Sequence, residues 1–227
     1  MRKSLSVLVL TLVVMISFGL SAAFGESLPS SKAVAKVSNV TILNWTSSDV
    51  PYTTILTAAL KTSQQKDLFI DVSLECGLYT KTLVKSKGGT QDTSMADAGI
   101  KVRVLIDGVV VAEPGEVVFE KRMQELSAKL GGILSCTDVN GDGMITLDEC
   151  TITEEEIQLV LDTMSANSFN FILPDVGVGV HTLEVQAAID LGTSVQQGQA
   201  EAKATIGKGS VAIEEVRMVK GTNIIEP

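Results

Sequence analysis

Strict alternation of apolar and polar residues, repeated along the chain, is what most narrows the folds open to it. Asp67 to Cys76 reads Asp-Leu-Phe-Ile-Asp-Val-Ser-Leu-Glu-Cys and sets Leu68, Ile70, Val72, Leu74 and Cys76 on one side. Period two is the geometry of a half-buried strand, since successive side chains point to opposite sheet faces. Ile100 to Ile106 repeats it, and Asp107-Gly108 before Val109-Val110-Val111 is a hairpin turn signal. Val180 to Ile189 alternates Leu183, Val185, Ala187 and Ile189 against polar partners; Gln199 to Ile206 and Val211 to Val219 follow as two further strands. Val37 to Trp45 is a first strand, and its sequons at Asn39 and Asn44 read as strand residues that happen to match. Tyr79 to Val84 continues from Cys76 as a pairing strand, Asn167 to Leu173 is strand-like, and polar Lys85 to Ala96 with Gly88-Gly89 reads as an exposed loop.

Tyr52 to Leu60 fits neither period cleanly. Phe119, Met123, Leu126 and Leu130 lie at helical spacing within 116–134, while Val117-Val118-Phe119 favours a strand; Glu154 to Met164 reads as a helix capped by Thr153 or as a strand. The expected fold class is mainly β, an antiparallel jelly-roll-like β-sandwich, with a loop inserted at about residues 131–156 and short helices flanking it as an option.

One stretch dictates a chemistry. Asp138-Val-Asn-Gly-Asp-Gly-Met-Ile-Thr-Leu-Asp-Glu149 alternates oxygen donors along a turning backbone. Ca²⁺ takes six to eight oxygens at about 2.3–2.6 Å, and a short loop can wrap it with donors so spaced. Asp138, Asn140 and Asp142 fall at positions 1, 3 and 5; Gly143 permits the turn that aims the Met144 carbonyl; Thr146 acts directly or through water; Glu149 closes the sphere with both oxygens. Three ligand carboxylates leave a filled site near charge −1. The twelve residues resemble the EF-hand calcium loop, D-x-[DN]-x-[DN]-G-x5-E. That resemblance implies bound Ca²⁺. It does not extend to the flanks: Gly131-Gly132 interrupt the approach, Thr151-Ile-Thr153 restarts the chain behind it, and there is no second loop. The expectation is an EF-type loop grafted into another scaffold at about residues 131–156, holding structural calcium.

The compartment follows from the other end of the chain. Met1-Arg-Lys3, the apolar run Leu5 to Leu20 and Ala23-Phe-Gly25 form a secretory signal peptide over residues 1–25, with no membrane span once it is cleaved. Residues 26–36, Ser-rich with Pro29, read as a flexible leader, and 37–227 as a single sandwich domain. Of 18 basic residues Arg2 and Lys3 leave with the signal, so 16 remain against 27 acidic ones, a net charge of about −11. Such a chain lacks the basic stripe that nucleic acid or an anionic membrane requires, and suits divalent cations. Three cysteines in an exported protein allow one disulfide. Cys136 and Cys150 bracket the calcium loop and are the pair expected to bridge, with Cys76 left as a buried thiol.

Catalysis has little to work with. His181 is the single histidine and sits mid-strand; there is no Gly-x-Ser-x-Gly elbow, no zinc set, and Gly207-Lys-Gly-Ser210 lacks the order of a phosphate loop. Aromatics are 4% of residues, too few for a sugar-stacking platform. The Gly179-Val-His-Thr182-Leu-Glu-Val185 phrase resembles late strands of jelly-roll and immunoglobulin-like extracellular modules, which implies fold and brings no site. The function expected is a secreted, non-enzymatic calcium-binding protein in a structural, surface or interaction role, with self-association or an extracellular protein or glycan partner. The alternatives are a calcium-dependent carbohydrate-binding adhesin and, further off, a calcium-stabilised hydrolase.

Overall fold

The computed structural model describes residues 32–38, 43–45 and 51–218. Twelve strands follow in chain order: β1 (Lys32–Val37), β2 (Leu43–Trp45), β3 (Thr53–Thr62), β4 (Lys66–Ser86), β5 (Thr90–Ile106), β6 (Val109–Val110), β7 (Val117–Leu130), β8 (Ile133–Cys136), β9 (Cys150–Thr153), β10 (Glu155–Val176), β11 (Gly179–Val195) and β12 (Gln199–Val216). A 3-10 turn at Leu147–Glu149 is the only helical element among the described residues, and no described helix is long and apolar enough to cross a membrane.

Two five-stranded antiparallel sheets face each other. One runs β1–β12–β4–β10, with β2 also on β12; the other runs β3–β11–β5, with β6 and β7 on β5. The period-two rows named above form the space between them. Leu68, Ile70, Val72, Leu74, Cys76 and Leu78 of β4 pack with Ile100, Val102 and Val104 of β5, Leu183, Val185 and Ala187 of β11, and Ile206, Val211 and Ile213 of β12. The sandwich expectation therefore holds. So does the hairpin: Asp107 and Gly108 both have positive φ, 51° and 82°, the conformation that lets a two-residue turn follow the strand twist.

Several segment readings are corrected. Residues 79–84 do not turn back on Cys76 but continue it, and β4 runs unbroken from Lys66 to Ser86. Residues 85–96 are not a loop: Lys87 to Gly89 make the turn, and β5 begins at Thr90. Polar residues in that stretch hid the strand because they face inward and are satisfied there. The Asp92 carboxylate accepts from the Lys85, Thr93 and Gln197 amides at 2.8–2.9 Å, and the Ser94 hydroxyl donates to the Gln199 carbonyl at 2.6 Å. Thr80, Thr82 and Gln124 bridge the sheets beside them, so one half of the sandwich is filled with hydrogen bonds and the other with hydrocarbon.

The segments left open between helix and strand, 116–134 and 154–164, resolve to strand over nearly all their length: β7 pairs with β5 from Val117 to Leu130, β8 begins at Ile133, and β10 pairs with β4 from Glu155. Tyr52 to Leu60 falls mostly in β3. Residues 199–216 form one strand, with a register irregularity between Ile206 and Gly209 instead of a break, and it ends at Val216. The end of the leader, 32–36, lies in β1, and of the strand expected at 37–45 the described residues fall in β1 (Val37) and β2 (Leu43–Trp45), apart from Ser38. The signal peptide, residues 26–31 and the sequon at Asn39 lie outside the described residues.

Candidate functional site

Between β7 and β10 the chain leaves the sandwich. β8 and β9 pair only with each other, Ile133 opposite Thr153 and Cys136 opposite Cys150, as a separate two-stranded sheet. Gly132 makes the exit with φ 87°, and its amide donates to the Glu155 carboxylate at 2.8 Å, which ties the base of the hairpin to β10. Cys136 and Cys150 are disulfide-bonded with Cα atoms 4.0 Å apart. The bridge expected from the sequence is present, and it is compatible with the loop because the flanks are paired strands; two diverging helices would have carried the cysteines apart.

The bridged pair closes Asp138–Glu149 into a ring of inward bonds. Asp138 accepts from the Gly141 amide at 2.6 Å and from the Gly143 amide at 2.9 Å, one per carboxylate oxygen. Asn140 Oδ1 accepts from the Asp142 amide and Asp142 Oδ1 from the Met144 amide, each at 2.8 Å. These are Asx turns, in which a short side chain caps the backbone two residues on. Gly141 and Gly143 take φ of 73° and 81°, which a Cβ would resist. From the far end Glu149 reaches across: one oxygen accepts from the Thr146 amide at 2.9 Å, the other from the Val139 amide at 3.1 Å. The Thr146 amide foremost, with Val139, holds the Glu149 carboxyl below its ordinary range, and the Thr146 hydroxyl does the same for Asp148.

All the sequence-predicted donors, Asp138, Asn140, Asp142, Met144, Thr146 and Glu149, thus sit in one closed loop, with four side chains turned onto its own amides. The set is oxygen only, which suits a hard cation, and the two flanking thiols are consumed by the bridge. An ionised carboxylate has about four lone-pair sites, so an oxygen that accepts one amide can still meet an ion. The side chains are spread around the ring, however: among the described residues no group of three or more His, Cys, Asp or Glu is gathered as a metal centre would gather them.

Sequence reasoning overlooked the outside of the loop. Val139, Met144, Ile145 and Leu147 are 58–86% exposed, and Ile133, Leu134 and Ile152 on the hairpin stem are at least half exposed. The signal that could have found this surface is the apolar character of Val139, Met144, Ile145 and Leu147 in the sequence itself.

Cys76 is buried and unbridged. Burial, with the Glu120 carboxylate nearby, pushes its thiol up to about 12, so it stays protonated and is not a nucleophile. His181 is structural. Its Nδ1 lies 2.8 Å from the Asp107 carboxylate and its Nε2 3.0 Å from the Gly177 carbonyl, both acceptors, which favours the protonated ring and raises its pKa above the ordinary histidine value.

No protein-family model matches the chain, and no curated protein does. Among solved structures it is similar to a chain described as "Structure of infectious bursal disease virus Gx strain", at 12% identity and a TM-score of 0.28, over 86% of this chain and 33% of that one. This chain thus spans 33% of that neighbour's length, and so loose a superposition carries no argument about its role.

Proposed function

We propose that the chain is an exported, non-enzymatic β-sandwich protein whose disulfide-closed loop Asp138–Glu149 binds one Ca²⁺ and serves a structural, surface or interaction role outside the cell. The observation that carries this is the loop's internal bonding: Asp138, Asn140, Asp142 and Glu149 already point inward from a backbone bent by Gly141 and Gly143. Asp138, Asn140, Asp142 and Glu149 would hold the ion through side-chain oxygens, Met144 through its carbonyl, and Thr146 directly or through water. The ion draws the separated carboxylates together and offsets the negative charge of Asp138, Asp142, Asp148 and Glu149.

An interaction role is favoured over a purely internal one by the apolar residues at the tip, since contiguous exposed apolar surface marks contact sites. Fixing the loop fixes how Val139, Met144, Ile145 and Leu147 are presented.

Limited proteolysis tests this. In calcium the segment around Met144 resists cleavage; in chelator it is cut, and the sandwich strands survive as disulfide-linked fragments. Cleavage at the same rate in both conditions, in wild type and in Asp138→Ala, would end the proposal.

A further inference from the structure

β10 ends the first sheet and is 22 residues long. From Ile157 to Phe171 it holds one charged residue, Asp162, and no lysine, arginine or proline, the residues with which edge strands ordinarily prevent pairing with another chain. The long edges of the second sheet are guarded: β7 carries Lys121, Arg122 and Lys129, and β3 has Lys61 and a register irregularity opposite Val185 and Gln186. β10 has no such break, since its pairing with β4 is regular from Glu155 to Leu173. It is apolar on both faces. Leu159, Leu161 and Phe169 on the inward side are 40–42% exposed, and Val160 and Met164 on the outward side 40% and 65%.

The open edge has a stop at each end. The Ile172 amide donates to the Glu113 carbonyl at 2.9 Å, so that loop occupies the edge there. At the other end β10 begins at Glu155, where the chain comes in from the β9 hairpin. The Ile172 bond also fixes which groups are open. Successive residues of a strand turn their N–H and C=O to opposite edges, so the even-numbered residues 156 to 170, like Ile172, turn theirs away from β4. Among the described residues no strand pairs with them. The midpoint of this stretch is Thr163.

We propose that β10 pairs with β10 of a second copy about a two-fold axis at Thr163, so that the exported protein is a symmetric dimer joined through one continuous sheet. At that register the stops agree: residue 156 of either copy lies opposite 170 of the other, and each chain leaves for its hairpin as it reaches the neighbour's Glu113 loop. Even residues fall opposite even ones, which pairs the open backbone groups: Asp162 with Met164, Val160 with Ala166, Gln158 with Ser168. On the inward side Leu161 lies opposite Ser165 and Ile157 opposite Phe169. No acid directly faces an acid, and the two Asp162 are diagonal neighbours about 7–8 Å apart. Neighbouring registers are worse: an axis at Asp162 sets that carboxylate against its copy, and one at Met164 runs Glu156 into the Glu113 loop. The calcium loop takes no part in the contact.

The test uses the whole mature chain in calcium and in chelator, with sedimentation for mass and mild oxidation for register. Wild type is in monomer–dimer equilibrium in both conditions and goes no further, because pairing consumes the open edge of each copy. Thr163→Cys sets two thiols opposite each other at a non-hydrogen-bonded pair, where Cα atoms lie about 4.5 Å apart and within disulfide reach, and oxidation links it into a dimer. Ile157→Cys, which lies opposite Phe169 and far from its own copy, is not linked. Cys136 and Cys150 are bridged and Cys76 is buried, so the introduced thiol is the reactive one. If losing the Arg122 bond to Thr163 unsettles that variant, a mixture of Leu161→Cys and Ser165→Cys, opposite each other at the same register, replaces it. Ala166→Pro removes an open edge amide, twice per dimer by symmetry, and weakens association by roughly tenfold or more, while the bonds to β4, made by the odd residues, are kept. Ser168→Pro takes its place if circular dichroism shows that variant unfolded. Wild type monomeric at every concentration overturns the proposal. So does a dimer that the proline leaves intact or the axial cysteine fails to link, growth beyond the dimer, or assembly confined to calcium, which would assign the contact to the loop hairpin.

Discussion

Replacing Gln124 with methionine measures how the polar half of the sandwich is held. The Gln124 amide lies between the sheets: its Oε1 accepts from the Thr80 hydroxyl at 2.8 Å, and its Nε2 donates to the Thr82 hydroxyl at 2.7 Å and to the Leu159 carbonyl at 3.0 Å. Thr80 and Thr82 are fully buried, so Gln124→Met strands two hydroxyls at about 1–3 kcal/mol each. Each hydroxyl can turn towards a strand carbonyl and recover part of this, Leu159 lies at the half-exposed seam where water reaches it, and the methionine gains about 1 kcal/mol of apolar burial. The net cost is about 2–3 kcal/mol, or roughly 4–12 °C in Tm for a domain of this size. Removing all the partners together, as Thr80→Val, Thr82→Val and Gln124→Met, leaves nothing unpaired between those side chains and returns stability to within about 1 kcal/mol of wild type. Denaturant melts followed by circular dichroism give both values. A single variant as stable as wild type, or a triple variant worse than the single one, would refute the reasoning that pairing rather than polarity itself stabilises this region.

Replacing Cys136 and Cys150 with serine opens a loop whose closure is worth about 3 kcal/mol in the chain-entropy model, and since β8 and β9 form their own sheet the loss falls on the hairpin: calcium affinity drops by up to about a hundredfold while the main melting transition stays put. As the single histidine, His181 can be followed by NMR titration, and its folded pKa lies above its ordinary value because the Asp107 carboxylate and then the Gly177 carbonyl accept from the ring. Its stabilising contribution is therefore complete below about 6.5 and is lost as pH rises through the folded value; Asp107→Asn brings the titration back towards 6.5. Asp107 is lowered by the same pair, so its contribution fades in acid instead, as pH falls through the folded value. Gly198→Ala drives a Cβ into the Leu83 carbonyl at the turn between β11 and β12, and a loss of more than about 2 kcal/mol in denaturant melts is expected.

What could be read from the residues, and what could not, follows from how each strand is buried. Asp67 to Cys76 and Leu183 to Ile189 were legible because their inward positions are hydrocarbon and most of their outward ones are polar. β5 was hidden as far as Ala96 because Asp92 and Ser94 look solvated in sequence while their partners, the Gln197 amide and the Gln199 carbonyl, lie more than a hundred residues away. β7 and β10 were ambiguous for another reason: as edge strands with a half-covered inner face they lack a strict period two, and Phe119, Met123, Leu126 and Leu130 fall on a helical spacing by coincidence. Within the loop the side chains that turn onto its own amides, Asp138, Asn140, Asp142 and Glu149, stood out by their spacing. The Glu155 anchor on Gly132 and the outward apolar tip were not, because each depends on the hairpin leaving the sandwich at that glycine.

Isothermal calorimetry of calcium into the chelator-stripped mature protein tests the central claim most directly. The account predicts one ion per chain, with the binding heat abolished in Glu149→Gln and weakened as pH falls through the carboxylate range. No binding heat with wild type, or the same isotherm from Glu149→Gln, would contradict it.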